Sequence, residues 1–172
     1  MKRNKAFIAS NIFIFMKKVF IFGPIVLILV FILGGQSGVG AQTVTGSIGN
    51  GTISRGAAAR GVVVIDIPGG LHVNSSHPNS QYAIATSVRV SGKDVKTGAV
   101  RYPAGHNRKF SFSEVPINVY QGRTSFPFTV TVPANFRGSV IKVRAVVKYQ
   151  ACTEEVCYPP KTKEITLTAK VR

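Results

Sequence analysis

The two cysteines of this 172-residue chain lie close together, in the segment YQACTEEVCYPPK (residues 149–161). Cys152 and Cys157 are separated by four residues, and a double proline follows them. Two such thiols can form a local disulfide that braces a loop, or a dithiol that exchanges electrons with other thiols. Both chemistries fit the residue types and the spacing, and they imply different functions.

The cysteines lie between two β-like segments, one ending at Tyr149 and the other beginning near Lys161. A short connection between antiparallel strands can bring two cysteines within the roughly 4.4–6.8 Å Cα separation of a disulfide. For a closed loop of about six residues, loop entropy predicts a stabilisation of about 2 kcal/mol, which is small for a disulfide. Because exposed loop tips often carry function, position alone leaves the brace and the exchanging dithiol equally open.

The other polar residues form no second recognisable site. His72, His77 and His106 are separated by turn residues and have no metal-ligand spacing with the cysteines. Each is therefore expected to be an exposed loop histidine, and neither a metal nor another cofactor is predicted. The serines lack the setting of a hydrolase nucleophile, and no two carboxylates share a predicted strand face. The cysteine pair is the leading candidate for chemistry.

The N-terminal segment predicts export. Residues 19–33 are an apolar run, preceded by two lysines and followed by small residues at the positions that a signal peptidase reads. The run is short of the roughly 20 residues that span a bilayer comfortably. We predict a signal peptide over residues 1–41, with Met16 as an alternative true start, or an anchor formed by residues 19–33. Both place the rest of the chain outside the cytoplasm, where disulfides persist.

The chain is strongly basic. Residues 1–41 hold five of the 22 Lys and Arg and none of the six Asp and Glu, so residues 42–172 carry a formal net charge of +11. The basic residues are scattered singly, without an RNA-binding aromatic signature, so nucleic acid is not an expected partner. A solvated basic surface is the favoured description, and attraction to an anionic membrane surface or an acidic partner is the alternative. Direct membrane contact is predicted only through an uncleaved N-terminal segment.

From residue 61 onward the chain shows the period-two alternation of half-buried β-strands. The clearest runs are residues 126–132, 141–149 and 165–171, and no segment sustains a helical period. We predict an all-β fold, an immunoglobulin-like antiparallel β-sandwich over residues 61–172. Residues 42–60 are rich in Gly, Ser and Ala and predict a flexible leader or a weak edge strand. Pro127 predicts an edge position or a bulge for its strand.

Three segments resemble a known family. The segment VVKYQACTEEVCYPPKTKEITL (residues 146–167) resembles the active-site hairpin of the N-terminal periplasmic domain of DsbD, the bacterial thiol:disulfide interchange protein. LHVNSSHPNSQYAIATSV (residues 71–88) and VYQGRTSFPFTV (residues 119–130) are similar to segments of stand-alone relatives. The resemblance covers roughly residues 61–171, and the cysteine hairpin is its specific part.

The resemblance implies an immunoglobulin-like fold and a catalytic redox pair, Cys152 and Cys157. In the family the second cysteine forms the mixed disulfide with the partner, so Cys157 is expected to exchange and Cys152 to resolve. The implied electron donor is a membrane-embedded conduit of the DsbD/CcdA type, and the implied recipients are thioredoxin-like periplasmic proteins. As a stand-alone form, the domain is expected to act on a separate conduit.

The resemblance also implies residues that support the pair. A cap-loop aromatic shields the cysteines in the family, and the segment RKFSFSEV (residues 108–115) offers Phe112, which we favour, or Phe110. Tyr149 and Tyr158 are expected to flank the pair, and Pro159 with the proline after it to stiffen the return strand. The insert between the cysteines is one residue shorter than in the best-known member. The alternative function is an immunoglobulin-like binding module in which the disulfide is a local brace.

Overall fold

The computed structural model describes residues 41–172, so the predicted signal peptide or anchor lies almost entirely outside the described residues. This part of the chain is built from twelve β-strands. Within it no helix is long and apolar enough to cross a membrane. The strands are β1 (Thr43–Ile48), β2 (Thr52–Ile53), β3 (Ala58–Asp66), β4 (His72–Asn74), β5 (Ser87–Gly92), β6 (Lys96–Thr97), β7 (His106–Arg108), β8 (Ile117–Tyr120), β9 (Arg123–Thr131), β10 (Val140–Tyr149), β11 (Ala151–Cys152) and β12 (Lys161–Val171).

The strands form three four-stranded sheets. The first has the order β1-β3-β9-β6 and the second the order β2-β12-β10-β5. The third consists of short strands in the order β11-β4-β8-β7. All strand pairs are antiparallel except β2 with β12, which is parallel. The predicted all-β, antiparallel, immunoglobulin-like sandwich is confirmed.

The main core lies between the first two sheets. Every second residue of the long strands points into it. In β9 the side chains of Phe126, Phe128 and Val130 are buried, while their neighbours are exposed or half-buried. In β10 every second residue from Ile141 to Tyr149 is buried in the same way. Because successive side chains of a strand point to opposite faces, one face of each strand enters the core. The predicted buried faces of both strands are confirmed.

Pro127 lies in β9 opposite Val62 of β3. The carbonyl oxygen of Pro127 accepts a hydrogen bond from the backbone N–H of Arg101, on the side away from β3. The ring nitrogen of Pro127 points to the same side as this carbonyl, away from β3. The missing N–H of the proline therefore removes no hydrogen bond between β9 and β3. β9 lies between β3 and β6 and pairs with β3 in continuous register, so the edge position or bulge predicted from Pro127 is wrong; the proline is accommodated because β6 pairs with β9 only at Val130 and Thr131.

The segment expected to be a flexible leader or a weak edge strand forms the edge strand. β1 pairs with β3 along its whole length, from Thr43 opposite Asp66 to Ile48 opposite Gly61. Ile48 is fully buried in the main core. At Gly46 a Cβ atom would collide with the carbonyl oxygen of Val62, so glycine permits the close approach of the two strands. One buried isoleucine and a glycine are enough to order a segment of low hydrophobicity.

The third sheet carries the cysteine hairpin. Its inner face, which includes Val73, Tyr120 and Ala151, belongs to the main core. Its outer face forms a second, smaller buried cluster with Ile117 and Val119. The chain therefore leaves β10 of the second sheet, joins the third sheet as β11, and returns to the second sheet as β12. This detour places the loop between the cysteines at the rim of the sandwich.

Candidate functional site

Cys152 and Cys157 form a disulfide with a Cα–Cα distance of 4.0 Å. Cys152 ends β11 and is fully buried, whereas Cys157 is half-buried. The loop between them is closed by a backbone hydrogen bond from the N–H of Thr153 to the carbonyl of Val156, at 2.8 Å. The N–H of Tyr158 donates to the carbonyl of Ala151, at 2.9 Å. The two cysteines are thus held in a tight turn and differ in how deeply they are buried.

Cys152, the buried end of the disulfide, and three polar side chains share the outer face of the third sheet. Cys152 lies opposite His72 in the pairing of β11 with β4. Ala151 pairs with Val73, so the antiparallel register places Gln150 opposite Asn74. This pair lies two positions along the strands from the pair of Cys152 and His72. Alternation along both strands puts Cys152, His72, Gln150 and Asn74 on the same face. We call these four residues the polar square.

The amides of the polar square tie three segments together. Asn74 Nδ2 donates to Gln150 Oε1 at 3.0 Å, and the backbone N–H of Ile84 donates to the same oxygen at 3.1 Å. Gln150 Nε2 donates to the carbonyl of Tyr158 at 3.2 Å, just beyond Cys157. Gln150 therefore links the cysteine hairpin to β4 and to the segment before β5. Gln150 belongs to the segment that carries the family resemblance, but the sequence assigned it no role, because its partners are distant along the chain.

Aromatic rings from the loop between β7 and β8 cover the His72 side of the polar square. The Phe110 ring stacks on the His72 ring, with centroids 4.2 Å apart and planes 19° apart. The Phe112 ring stacks on Phe110 in turn, at 5.2 Å and 12°. Phe110 is 3% exposed and Phe112 is 40% exposed. The two phenylalanines thus form a column that runs from the buried histidine to the surface.

Polar contacts hold this loop against the cysteine hairpin. Arg108 Nη2 lies 2.9 Å from Glu154 Oε1, and the Arg108 guanidinium lies 5.3 Å from the centre of the Phe110 ring. Ser111 Oγ donates to the carbonyl of Glu154 at 3.2 Å. Both contacts are solvent-exposed, so each contributes little stability by itself. They set the position of the aromatic column relative to the loop between the cysteines.

Cys157 lines a cleft of about 660 Å³ beside the aromatic column. Phe112, Tyr82 and Val115 line the same cleft. Tyr82 is 85% exposed and Val115 is 50% exposed, and Val156, next to Cys157, is 52% exposed. Large apolar side chains that remain exposed around a cleft mark a surface suited to a partner molecule. The accessible sulfur therefore opens onto an apolar surface.

His72 was expected to be an exposed loop residue, and that prediction is wrong. It is 1% exposed, and neither ring nitrogen has a hydrogen-bond partner in residues 41–172. Removal from water lowers the pKa of His72 from 6.5 to about 4; Glu154 opposes this shift and Arg108 adds to it. The imidazole is consequently neutral at pH 7. The sequence signal for burial was weak, since one short strand of three residues carries it.

The remaining predicted residues occupy different places. Tyr149 is fully buried in the main core, on the face of the strand opposite to the polar square, and burial raises its pKa. Tyr158 packs against the same core and is half-buried. Pro159 is exposed. The structure brings Phe110, Phe112, Cys152 and Cys157 together, and it does not bring the Tyr149 side chain to the disulfide.

Burial of a neutral histidine predicts acid sensitivity. Above pH 6.5 His72 is neutral in both the folded and the unfolded chain, so its contribution to stability is constant. As the pH falls from 6.5 towards 4, the unfolded chain binds a proton that the folded chain does not, and stability declines. We expect the oxidised chain to lose on the order of 2 kcal/mol of unfolding free energy between pH 7.5 and 4.5 through this residue.

Urea denaturation of the wild type, His72→Phe and His106→Phe at the two pH values checks this expectation. His106 is exposed in β7 and serves as the matched control. The additional loss at low pH should disappear in His72→Phe and persist in His106→Phe. Equal losses in all three chains would contradict the expectation.

Within residues 41–172, no group of three or more His, Cys, Asp or Glu residues is placed to hold a metal ion. His77 and His106 are both exposed, as predicted, and lie outside the polar square. The disulfide itself joins one fully buried cysteine, Cys152, to one that lines the cleft, Cys157.

Comparison with known proteins bears on this arrangement. Residues 52–169, more than half of the chain, match the family model described as thiol:disulfide interchange protein DsbD, N-terminal. No curated protein matches the chain. Among solved structures, the N-terminal periplasmic domain of ScsB from Proteus mirabilis matches with a TM-score of 0.45 and 12% identity, over 74% of this chain and 44% of that one.

Two further solved structures match the chain with lower TM-scores. A family 123 glycoside hydrolase from Clostridium perfringens has a TM-score of 0.33 and 11% identity, over 76% of this chain and 27% of the hydrolase. The seventh ScaB type I cohesin from Pseudobacteroides cellulosolvens has a TM-score of 0.34 and 12% identity, over 75% and 92% of the two chains. This chain spans less than half of the ScsB structure that it matches.

Proposed function

Because the chain belongs to the family of the N-terminal domain of the thiol:disulfide interchange protein DsbD, we propose that it is a thiol:disulfide exchange domain. Cys152 and Cys157 are the redox pair. Cys157 forms the mixed disulfide with a partner and Cys152 resolves it. The proposed electron donor is a membrane-embedded conduit of the DsbD/CcdA type, and the proposed recipients are thioredoxin-like periplasmic proteins.

One observation carries this proposal, namely the unequal access to the two sulfur atoms. Cys152 is fully buried opposite His72, whose ring Phe110 covers, and Cys157 lines the cleft. A thiolate must attack a disulfide at one sulfur and displace the other, so access selects the point of attack. The asymmetry directs an incoming thiol to Cys157 and makes Cys152 the leaving group. A disulfide that served only as a brace has no need of such an asymmetry.

The surface around the cleft supports a protein partner. Exposed Tyr82, Phe112, Val115 and Val156 surround the accessible cysteine. Aromatic residues are common anchors of protein interfaces, because they bury a large apolar area with few rotatable bonds. We assign this surface to the docking of the thioredoxin-like partner. The aromatic column then slows the attack of small thiols relative to that of a docked partner.

The proposed location is the periplasm, with residues 1–41 as a signal peptide or residues 19–33 as a membrane anchor. The exchange domain is assigned to residues 61–172, together with the edge strand β1 that completes its first sheet. A disulfide that must cycle requires a compartment in which an oxidised pair survives until a dedicated reductant reaches it. The export signal and the redox pair are therefore mutually consistent.

The reduction potential of the Cys152–Cys157 pair tests the proposal. The purified full chain is equilibrated with glutathione redox buffers, and free thiols are trapped and counted. We expect a potential in the range of exchange proteins, roughly −120 to −270 mV. A value below about −300 mV, where structural disulfides lie, would instead favour a binding module with a local brace.

A further inference from the structure

The exchange reaction proposed above gives no role to the imidazole of His72, a buried titratable group next to the disulfide. The ring is 1% exposed, and within the described part of the chain both Nδ1 and Nε2 lack a hydrogen-bond partner. A neutral imidazole has one N–H donor and one acceptor nitrogen. Leaving both unsatisfied in the interior destabilises a fold, so buried polar atoms normally have partners. Such a residue is best explained by a partner that exists in another state of the site.

The sulfur of Cys152 is the group that changes between the two states. Cys152 and His72 are directly opposite each other in the ladder between β11 and β4. Directly paired residues of an antiparallel ladder project from the same face with Cβ atoms about 4.5–5.5 Å apart. In the disulfide, the Cys152 sulfur carries neither a hydrogen nor a charge. After the disulfide opens, it is a thiolate or a thiol, and both form hydrogen bonds.

The Phe110 ring keeps water away from this place. It stacks on His72 at 4.2 Å and is itself 3% exposed. Cys152 is fully buried beside it. A thiolate released in these surroundings is poorly solvated, and burial of an unpaired charge is strongly unfavourable. A hydrogen-bond donor within the same enclosure is therefore needed for Cys152 to act as a leaving group.

We propose that His72 is a positioning residue for the redox reaction, and that its ring N–H donates a hydrogen bond to the Cys152 sulfur when the disulfide opens. The proposal rests on the exchange function proposed above and adds a residue to it. It also accounts for the unpaired N–H of the ring, because its acceptor appears in the reduced and mixed-disulfide states.

The step balances as follows. The thiolate of a partner dithiol attacks the Cys157 sulfur, and a new S–S bond forms between the partner and Cys157. The bond between Cys157 and Cys152 breaks, and its electron pair leaves on Cys152, where the His72 N–H stabilises it. The second thiol of the partner then attacks the partner's own sulfur in the mixed disulfide and releases Cys157. The dithiol is oxidised, the Cys152–Cys157 pair is reduced, and the two protons of the dithiol end on the two cysteines.

The charged groups near His72 are compatible with this role. They are Arg108 of β7 and Glu154 of the loop between the cysteines, and these two form an ion pair at 2.9 Å. Their opposite effects on the His72 pKa partly cancel, and desolvation dominates, lowering it to about 4. The ring is neutral at the pH of exchange and retains its N–H in that form.

The first test compares rates of disulfide opening. The full chain reacts with reduced glutathione at pH 7, and the mixed disulfide at Cys157 is quantified after acid quenching. His72→Phe keeps a ring against Phe110 but removes the donor, and we expect opening to be about tenfold slower or more. His72→Gln restores a donor and should recover part of the rate. His106→Phe, an exposed histidine on β7, should react like the wild type.

The second test needs no variant and so does not depend on any variant folding. The His72 ring is titrated by NMR in the wild-type chain, first oxidised and then reduced with a phosphine. We expect the titration midpoint to move, and the ring N–H resonance to shift, when Cys152 becomes available as a partner. A purely structural role for His72 predicts the same titration in both redox states.

The outcomes separate this inference from the exchange function. In one outcome, glutathione opens the disulfide rapidly and at equal rates in the wild type and His72→Phe, and the His72 titration does not change between redox states. This result overturns the role of His72 and leaves the exchange function intact. A wild-type disulfide that resists glutathione, but whose reduction by phosphine shifts the His72 titration, overturns exchange and supports the hydrogen bond to Cys152.

Discussion

Replacing Cys157 with serine should abolish thiol exchange, whereas replacing Cys152 should trap the partner. Cys157 faces the cleft and Cys152 is fully buried, so an incoming thiolate reaches the first and not the second. In Cys157→Ser the remaining thiol is enclosed, and the rate of mixed-disulfide formation should fall at least a hundredfold, to background. In Cys152→Ser the mixed disulfide at Cys157 has no resolving thiol and should accumulate.

Both variants should fold. The disulfide closes a loop with a sequence separation of five residues, and loop entropy assigns such a bridge about 2 kcal/mol. The backbone bonds from Thr153 to Val156 and from Tyr158 to Ala151 keep the turn closed without it. The Cys152→Ser/Cys157→Ser double variant is the control for folding, measured by thermal unfolding.

Incubation with an oxidised thioredoxin-like protein, whose disulfide the remaining cysteine thiolate attacks, followed by alkylation and mass spectrometry, measures the adducts. The expected result is an adduct in Cys152→Ser and none in Cys157→Ser. An adduct of equal yield in both variants would show that access does not select the attacked sulfur. Full function of the double variant in cells would support the binding module instead.

Removing the inner ring of the aromatic column should have the largest effect on stability and protection. Phe110 is 3% exposed, packs between His72 and Phe112, and belongs to the second buried cluster. Phe110→Ala should lower the unfolding free energy by about 3–5 kcal/mol, the usual range for a buried phenylalanine. It should also open the enclosure of Cys152 and accelerate reduction by a small thiol about tenfold.

Phe112→Ala is the informative companion variant. The Phe112 ring is 40% exposed and lines the cleft with Cys157, so its loss should reduce stability by about 1 kcal/mol or less. Access to Cys157 improves, and non-specific thiol exchange should accelerate by a few-fold. Phe136→Ala, a half-buried phenylalanine outside the site, is the control for general loosening.

Urea denaturation and rates of reduction by glutathione, measured for the three variants, separate the contribution of Phe110 to the shielding of the disulfide from that of Phe112. If the rate in Phe112→Ala equals that of the wild type, Phe112 does not shield the pair and the cap role passes to Phe110. If neither variant reacts faster, the aromatic column is part of the fold and has no protective role.

Much of this architecture could be predicted from local patterns. The alternation in residues 126–132 and 141–149 identified the buried faces of β9 and β10, because a strand with one dry face imposes a period of two. The spacing of Cys152 and Cys157 in a turn between two strands predicted a feasible disulfide, because a short closed loop keeps its ends close. Both inferences depend on residues that are near one another in the chain.

The surroundings of the disulfide depend on contacts between distant residues, and no local pattern encodes them. His72 faces Cys152 because β4 and β11 are neighbours, although 80 residues separate them in the chain. Its burial also requires Phe110 from a third segment. Tyr149, adjacent to the hairpin, points into the main core because strand alternation continues through Ala151. The distance of His72 and Tyr149 from the cysteines along the sequence therefore did not predict which of them lies next to the disulfide. The register of the third sheet determines this.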